Sequence, residues 1–278
     1  MKKLLVSIAT YGDKNFEYLN KVIDEYKTYK NYDLTINVHG TTPLPRSDIN
    51  FIGHVDPPNT VFFHRQEFAD ERNNYDLFLF SEDDMLIKEE AVDTYVKYTS
   101  TLPVDYCLGF LRYETRPVSA PDDKNLYIID LWPGVTHRIM YRPIPEIFGL
   151  PGNIAGPSFI TVRKVDVNGN SYFVPRNPHQ ASSILTPDRL EYAIQHSDFL
   201  KVWEGGKLGG EAGGSGIFRN WDHASGVISK VCTRNLEDLK KCLIHHMPNI
   251  HCDEPYKVGR EFPSTVATLD SLVSYLAL

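Results

Sequence analysis

The apolar patterning of this chain predicts an α/β fold, and three stretches carry that expectation. Within Tyr75-Asp76-Leu77-Phe78-Leu79-Phe80-Ser81-Glu82-Asp83-Asp84-Met85, an unbroken apolar run lies between Asp76 and Ser81. Such a run marks a strand buried on both faces at the centre of a sheet. Lys3 to Ala9, a helix with Phe16, Leu19, Val22, Ile23, Tyr26 and Tyr29 on one stripe, and Asp33 to His39 follow as strand, helix, strand. That opening implies a parallel, right-handed crossover. From Lys88 to Tyr98, Ala91, Val92, Tyr95 and Val96 again recur at helical spacing. No repeat or low-complexity linker divides the chain, so one domain is expected over 1–278, with halves at 1–100 and 101–278.

The remaining elements follow from local signals. Ile49 to Val55 is expected to be a third strand, broken by Asp56-Pro57-Pro58-Asn59. A helix from about Thr60 to Asn73 then feeds the acidic strand. Tyr106 to Tyr113 reads as one strand, and Asn125 to Trp132 and Val135 to Tyr141 as two more around Pro133-Gly134. Residues 143–157 are rich in Pro and Gly and read as loop. Phe159 to Val167 and Ser171 to Val174 flank Asn168-Gly169, a hairpin signal. Pro187 opens a helix through Ile194, with Ser183 or Thr186 as its cap. Gly226 to Cys232 is a strand, Asn235 begins a helix running as far as His245-His246-Met247, and a terminal helix starts near Val266.

Composition narrows the partners. A net charge of −7 and an isoelectric point of about 5.8 argue against a nucleic-acid polymer, whose binders present basic surfaces. Hydrophobic residues at 42% and charged residues at 23% are ordinary for a water-soluble globular chain. Met1-Lys2-Lys3 and the apolar run behind it begin like a signal peptide, but the run stops at Thr10-Tyr11-Gly12-Asp13 without a small-residue cleavage site. No stretch reaches the roughly eighteen apolar residues that a transmembrane helix needs. Cys107, Cys232, Cys242 and Cys252 show no Cys-x-x-Cys pairing, so reduced thiols in a cytoplasmic protein are expected rather than a zinc site.

The chemistry concentrates at Glu82-Asp83-Asp84. Neighbouring carboxylates resist joint ionisation, and a divalent cation removes the conflict. Hard oxygen ligands suit Mg²⁺ or Mn²⁺, with phosphate oxygens and water completing the shell. An acidic turn facing water is the plain alternative, but open α/β sheets bind ligands at the carboxyl ends of their strands. The Thr10-Tyr11 loop falls on that same edge. It lacks Gly-x-Gly-x-x-Gly, so an ordinary dinucleotide site is not expected. Arg65 is placed as a contact for a diphosphate or for the triplet itself, with a solvated surface arginine as the alternative. Glu211 stands among Gly205, Gly206, Gly209, Gly210, Gly213, Gly214 and Gly216, where small neighbours leave room for a substrate, and is a candidate catalytic acid. Trp132, Trp203 and Trp221 offer faces for a sugar or serve as core residues.

Taken together, these parts resemble the GT-A class of nucleotide-sugar glycosyltransferases, most clearly over residues 1–100. Ala9-Thr10-Tyr11 resembles the nucleotide-binding opening of that class, and Glu82-Asp83-Asp84 its Asp-x-Asp motif. The resemblance implies a Rossmann-type nucleotide-binding half with a mixed central sheet and an acceptor-binding C-terminal half. It implies that Asp84 binds Mn²⁺ or Mg²⁺, that Glu82 and Asp83 hold the ribose or metal-bound waters, and that a late histidine, His245 or His246, joins the metal. The implied reaction moves a sugar from a nucleoside-diphosphate donor, UDP by default, to a hydroxyl of a glycan or glycoconjugate acceptor. Glu211 takes the place of the base of an inverting enzyme, with Glu204, Asp198 and Asp222 as alternatives. A retaining enzyme, a non-catalytic carbohydrate- or nucleotide-binding domain, and another metal-dependent phosphate-ester enzyme are the rival expectations.

Overall fold

The computed structural model describes residues 1–55, 57–115, 126–128, 163–174, 181–200, 218–219, 227–248 and 267–268. It is an α/β structure with mixed sheets. β1 (Lys2–Ala9) pairs in parallel with β2 (Tyr32–Gly40) from Lys2↔Tyr32 to Ala9↔His39, and α1 (Phe16–Lys27) makes the crossover between them. β3 (Asn50–Gly53) extends the sheet beyond β2, again in parallel. On the other side of β1 lies β4 (Leu77–Glu82), in register from Leu4↔Leu77 to Ala9↔Glu82. The carboxyl ends of all four strands therefore share one edge.

β4 is the inner strand that its apolar run predicts: Leu77, Phe78, Leu79, Phe80 and Ser81 are all buried. Tyr26 of α1 donates its hydroxyl to Ser81 Oγ at 2.9 Å. One residue earlier, Phe80 stacks on His64 of α2 (Phe63–Glu71), ring centroids 3.9 Å apart. Successive strand side chains point to opposite faces, so α1 and α2 cover opposite faces of β4. α3 (Glu89–Thr99) buries Ala91, Val92 and Tyr95 in the same core.

Several elements depart from the local reading. The helix expected from Thr60 begins instead as a 3-10 turn at Pro57–Phe62 and becomes α2 only at Phe63. The strand expected over Tyr106 to Tyr113 is two: β6 (Tyr106–Leu108) and β7 (Leu111–Thr115), which join different sheets. β5 (Met85–Leu86) and β11 (Ser182–Leu185) carry no local signal. β11 is recruited antiparallel along β4 and gives the main sheet the order β11-β4-β1-β2-β3.

The second sheet runs β12 (Phe218–Arg219), β13 (Ile228–Thr233), β10 (Asn170–Val174), β9 (Arg163–Val167), with β6 also on β13. Its β9–β10 hairpin turns at Asn168 and Gly169, at φ 51° and 77°, the two left-handed positions that an Asn-Gly turn supplies. α4 (Pro187–His196) starts with Pro187 in its first turn behind Thr186, so Thr186 rather than Ser183 is the N-cap position.

The largest correction concerns the late histidines. Asn235 does cap a helix, accepting from Asp238 N at 3.1 Å, but α5 (Leu236–Lys241) is short. Cys242 N turns back to Leu239 O at 3.0 Å, and Leu243–His246 leaves as strand β14. β14 lies between β7, in parallel, and β5, antiparallel. The third sheet thus has the order β15-β8-β7-β14-β5, where β8 is Leu126–Ile128 and β15 is Ala267–Thr268. Ala267 and Thr268, at the start of the expected terminal helix, are strand, held by pairing with β8; the rest of that expected helix lies outside the described residues. No helix among the described residues is long and apolar enough to cross a membrane. Cys107, Cys232 and Cys242 are buried thiols outside any disulfide.

Candidate functional site

The acidic triplet sits where β4 passes into β5, so it joins the main sheet to the third one. Glu82 is the last residue of β4, and Asp83-Asp84 form the tight turn before Met85. Each acid has a different environment. Asp83 is buried and accepts hydrogen bonds from Thr10 Oγ1 at 2.5 Å and Asn15 Nδ2 at 2.9 Å. Burial pushes its carboxyl up to about 6 against those two bonds, with the charges of Asp84 and Glu82 adding to the rise. Asp83 therefore ties the β1–α1 loop to the triplet. The approach is close: a Cβ at Gly40 would stand 2.6 Å from Thr10 Cγ2, so Gly40 keeps open the space in which Thr10 holds Asp83.

Asp84 is nearly buried, with a side chain 14% exposed, and Oδ1 has no hydrogen-bond partner among the described residues. Its other oxygen, Oδ2, lies 3.5 Å from His246 Nε2. Met247 N donates to Asp84 O at 3.0 Å and extends the β5–β14 ladder to the turn. On the far side of the same imidazole, Nδ1 stands 2.5 Å from Oε1 of Glu114 on β7, a residue 0% exposed. Burial disfavours charge on the His246 ring, but the Asp84 and Glu114 carboxylates outweigh it and raise the ring to about 9. Of the two candidate histidines, the structure brings His246 to Asp84. Strand alternation turns His245 to the other face, where it stacks on Tyr113 with ring centroids 4.8 Å apart.

Ala9 and Thr10 are buried at the carboxyl end of β1, and Tyr11 projects beyond them, 42% exposed. Partial burial, then the charges of Glu82 and Asp83, push the Tyr11 phenol up to about 12. Arg65 is not a surface residue. It is buried against Phe62 and Phe199, 4.9 and 5.5 Å from their ring centroids, and donates Nη1 to Phe199 O at 3.3 Å. Burial pulls its guanidinium down to about 10. Nε and Nη2 have no partner among the described residues, and no ion pair with Glu82, Asp83 or Asp84 is formed there. Asp198 is exposed in the segment after α4. Glu211, Glu204, Asp222, the glycine-rich stretch, Trp132, Trp203 and Trp221 lie outside the described residues.

Among the described residues Asp84 and His246 are the pair suited to a divalent cation: one carboxylate with a buried oxygen unpaired there and one imidazole nitrogen facing the other oxygen. Among the described residues no group of three His, Cys, Asp or Glu side chains is placed to hold an ion. The remaining positions would fall to water and phosphate, the usual pattern for a cation that works on phosphate esters. Sequence reading missed Glu114. Its only signal is its place on a strand with an apolar start, and its relation to His246 depends on strand register.

The same groups set a pH dependence in the metal-free protein. A ring raised from 6.5 to about 9 contributes stability that is full below 6.5 and lost as pH rises through 9. A carboxyl raised from 3.8 to about 6 likewise costs stability as pH rises through 6. Urea unfolding in chelator is expected to show the wild-type advantage over His246→Gln shrinking by roughly 1–3 kcal/mol between pH 6.5 and 9.5. A constant difference across that range would contradict the paired imidazolium.

Comparison with protein-family models and with curated proteins returns no match for this chain.

Proposed function

We propose that this chain is a metal-dependent glycosyltransferase that moves a sugar from a nucleoside-diphosphate donor, UDP by default, to a hydroxyl of a glycan or glycoconjugate. The observation that carries the proposal is Asp84 at the carboxyl edge of the parallel strands, with Oδ1 unpaired among the described residues and His246 Nε2 beside Oδ2. Asp84 and His246 would hold Mn²⁺ or Mg²⁺, and the cation, when bound, neutralises charge on the diphosphate leaving group. An oxygen-plus-imidazole donor set makes Mn²⁺ the better probe.

The chain's own residues divide the remaining work. Thr10 and Asn15 fix Asp83 and with it the loop that carries Tyr11, so Ala9-Thr10-Tyr11 and Glu82 border the space for nucleoside and ribose. Arg65, in the first turn of α2, is buried with Nε and Nη2 unpartnered among the described residues, and is assigned to an anion of the donor. Glu211 is assigned as the base that takes the acceptor proton, a role of about 10²–10⁴-fold for a well-placed carboxylate. On this reading the protein works in the cytoplasm and its strands and helices form a Rossmann-type, GT-A-like arrangement.

A thermal-shift panel of nucleoside diphosphates and their sugars, with and without Mn²⁺, tests it. A ligand at 100 times its Kd adds about 2.7 kcal/mol to stability. For a chain of this size that amounts to roughly 5–10 °C. The expected result is a rise that needs both Mn²⁺ and nucleotide, followed by Mn²⁺-dependent release of the nucleoside diphosphate from the matching sugar donor without acceptor. A rise without release would identify a non-catalytic binding domain. No Mn²⁺-dependent rise with any nucleotide would overturn the proposal.

A further inference from the structure

We propose that Glu114 is the positioning residue of the site, holding neutral His246 by Nδ1–H so that Nε2 offers its lone pair to a cation shared with Asp84. The proposal rests on the reading of Asp84 and His246 as a cation pair and extends it to the group behind the histidine. Glu114 on β7, His246 on β14 and Asp84 in the turn that enters β5 form a file. β7 and β14 run parallel with Ile244 opposite Arg112 and His245 opposite Tyr113. The next residues in step are His246 and Glu114. On the other side of β14, His246 stands opposite Met85, the residue after Asp84. Backbone pairing thus fixes Glu114 and His246 on their strands, and Asp84 is set by the tight turn that leads straight into Met85.

The two distances in the file differ in kind. Glu114 Oε1 to His246 Nδ1 is 2.5 Å; an ionised carboxylate can only accept, which makes the ring nitrogen the donor of a charge-assisted hydrogen bond. His246 Nε2 to Asp84 Oδ2 is 3.5 Å, beyond a good hydrogen bond. Two ligands about 2.1 Å from one small cation, at angles between a right angle and the tetrahedral value, stand roughly 3.0–3.4 Å apart. A histidine that binds a metal through one nitrogen almost always donates its other N–H to a carboxylate or carbonyl, which fixes tautomer and ring orientation. Glu114, 0% exposed, is placed as that acceptor. A solvated glutamate elsewhere on the surface would not hold the ring in this way.

The test uses the full-length protein with Glu114→Ala and Glu114→Gln. Gln keeps the shape of Glu and an oxygen that accepts from Nδ1–H, but loses the charge. Mn²⁺ affinity, measured by calorimetry or by the resonance of free Mn²⁺, is expected to fall about 10–100-fold in Glu114→Ala and to recover much of that loss in Glu114→Gln. In metal-free wild type above the ring's titration, ¹⁵N chemical shifts should report Nδ1–H for His246, with Glu114→Gln retaining that tautomer. If Glu114→Ala binds Mn²⁺ within about twofold of wild type, or if the wild-type ring is the Nε2–H tautomer, the positioning role is overturned. An Nδ1–H ring in a wild-type protein with no Mn²⁺ affinity would uphold the orientation by Glu114 and overturn the cation site instead. Should Glu114→Ala fail to fold, Glu114→Gln and the wild-type tautomer still decide the matter.

Discussion

Asp84→Asn is expected to abolish Mn²⁺-dependent binding of a nucleoside diphosphate while leaving the metal-free fold within about 1 kcal/mol of wild type. The substitution removes the negative charge facing His246 Nε2 and the only carboxylate of the triplet with a buried oxygen left unpaired among the described residues. Metal affinity follows ligand charge, so a loss of at least 100-fold, about 2.7 kcal/mol, is the expected size. The fold tolerates the change for a local reason. Like charges on Glu82 and Asp83 are relieved, and the new amide can donate to or accept from the imidazole in either of its states. Calorimetry with UDP at several Mn²⁺ concentrations, beside urea unfolding in chelator, measures both halves. Unchanged Mn²⁺ dependence in Asp84→Asn would remove the central support for the proposed activity.

The half of the site contributed by β1 and β4 is legible in sequence because its determinants are local. Leu77 to Phe80 is an unbroken apolar run between Asp76 and Ser81, too short for a buried helix and of the right length for a buried strand, and its end is marked by the acids themselves. The stripe over Leu19, Val22, Ile23 and Tyr26 is buried as its spacing predicts. Asn168-Gly169 likewise dictates its own turn.

The other half is not local. Leu243-Ile244-His245-His246 follows a capped helix with helix-compatible spacing, and nothing nearby announces a strand. It becomes one because β7 and β5, each more than a hundred residues earlier, present open edges on either side. The choice between His245 and His246, left open by sequence, is then made by strand parity alone. Glu114 is hidden for the same reason. Its partner lies 132 positions away, and its strand is separated from β6 only by a break at Gly109-Phe110. Arg65 shows the complementary limit: sequence marks a charge on a helix that feeds the acidic strand, but not that Phe62 and Phe199 will enclose it.

Arg189→Leu is expected to be among the most destabilising single changes in this protein, at roughly 3–5 kcal/mol. Arg189 is 3% exposed on α4. It donates Nε to Tyr106 O at 2.7 Å, and Nη2 to Thr99 O and Leu102 O at 2.9 Å each and to Pro103 O at 3.1 Å. Thr99 is the last residue of α3, where carbonyls lack in-helix donors and carry the negative end of the helix dipole. One guanidinium therefore caps α3, fixes the chain from 99 to 106, and locks the start of β6 against α4. Its contact with Asp188, on a side chain 62% exposed, adds little by comparison. Leucine fills part of the volume but leaves Tyr106 O and Leu102 O without the donor they have here, while Thr99 O and Pro103 O keep only the backbone N–H of Leu102 and Tyr106. Lysine keeps the charge yet cannot spread it over the same fork, so Arg189→Lys should fall between Leu and wild type. Urea unfolding gives the order directly, and a loss below about 1 kcal/mol for Arg189→Leu would mean that water reaches these carbonyls and replaces the fork.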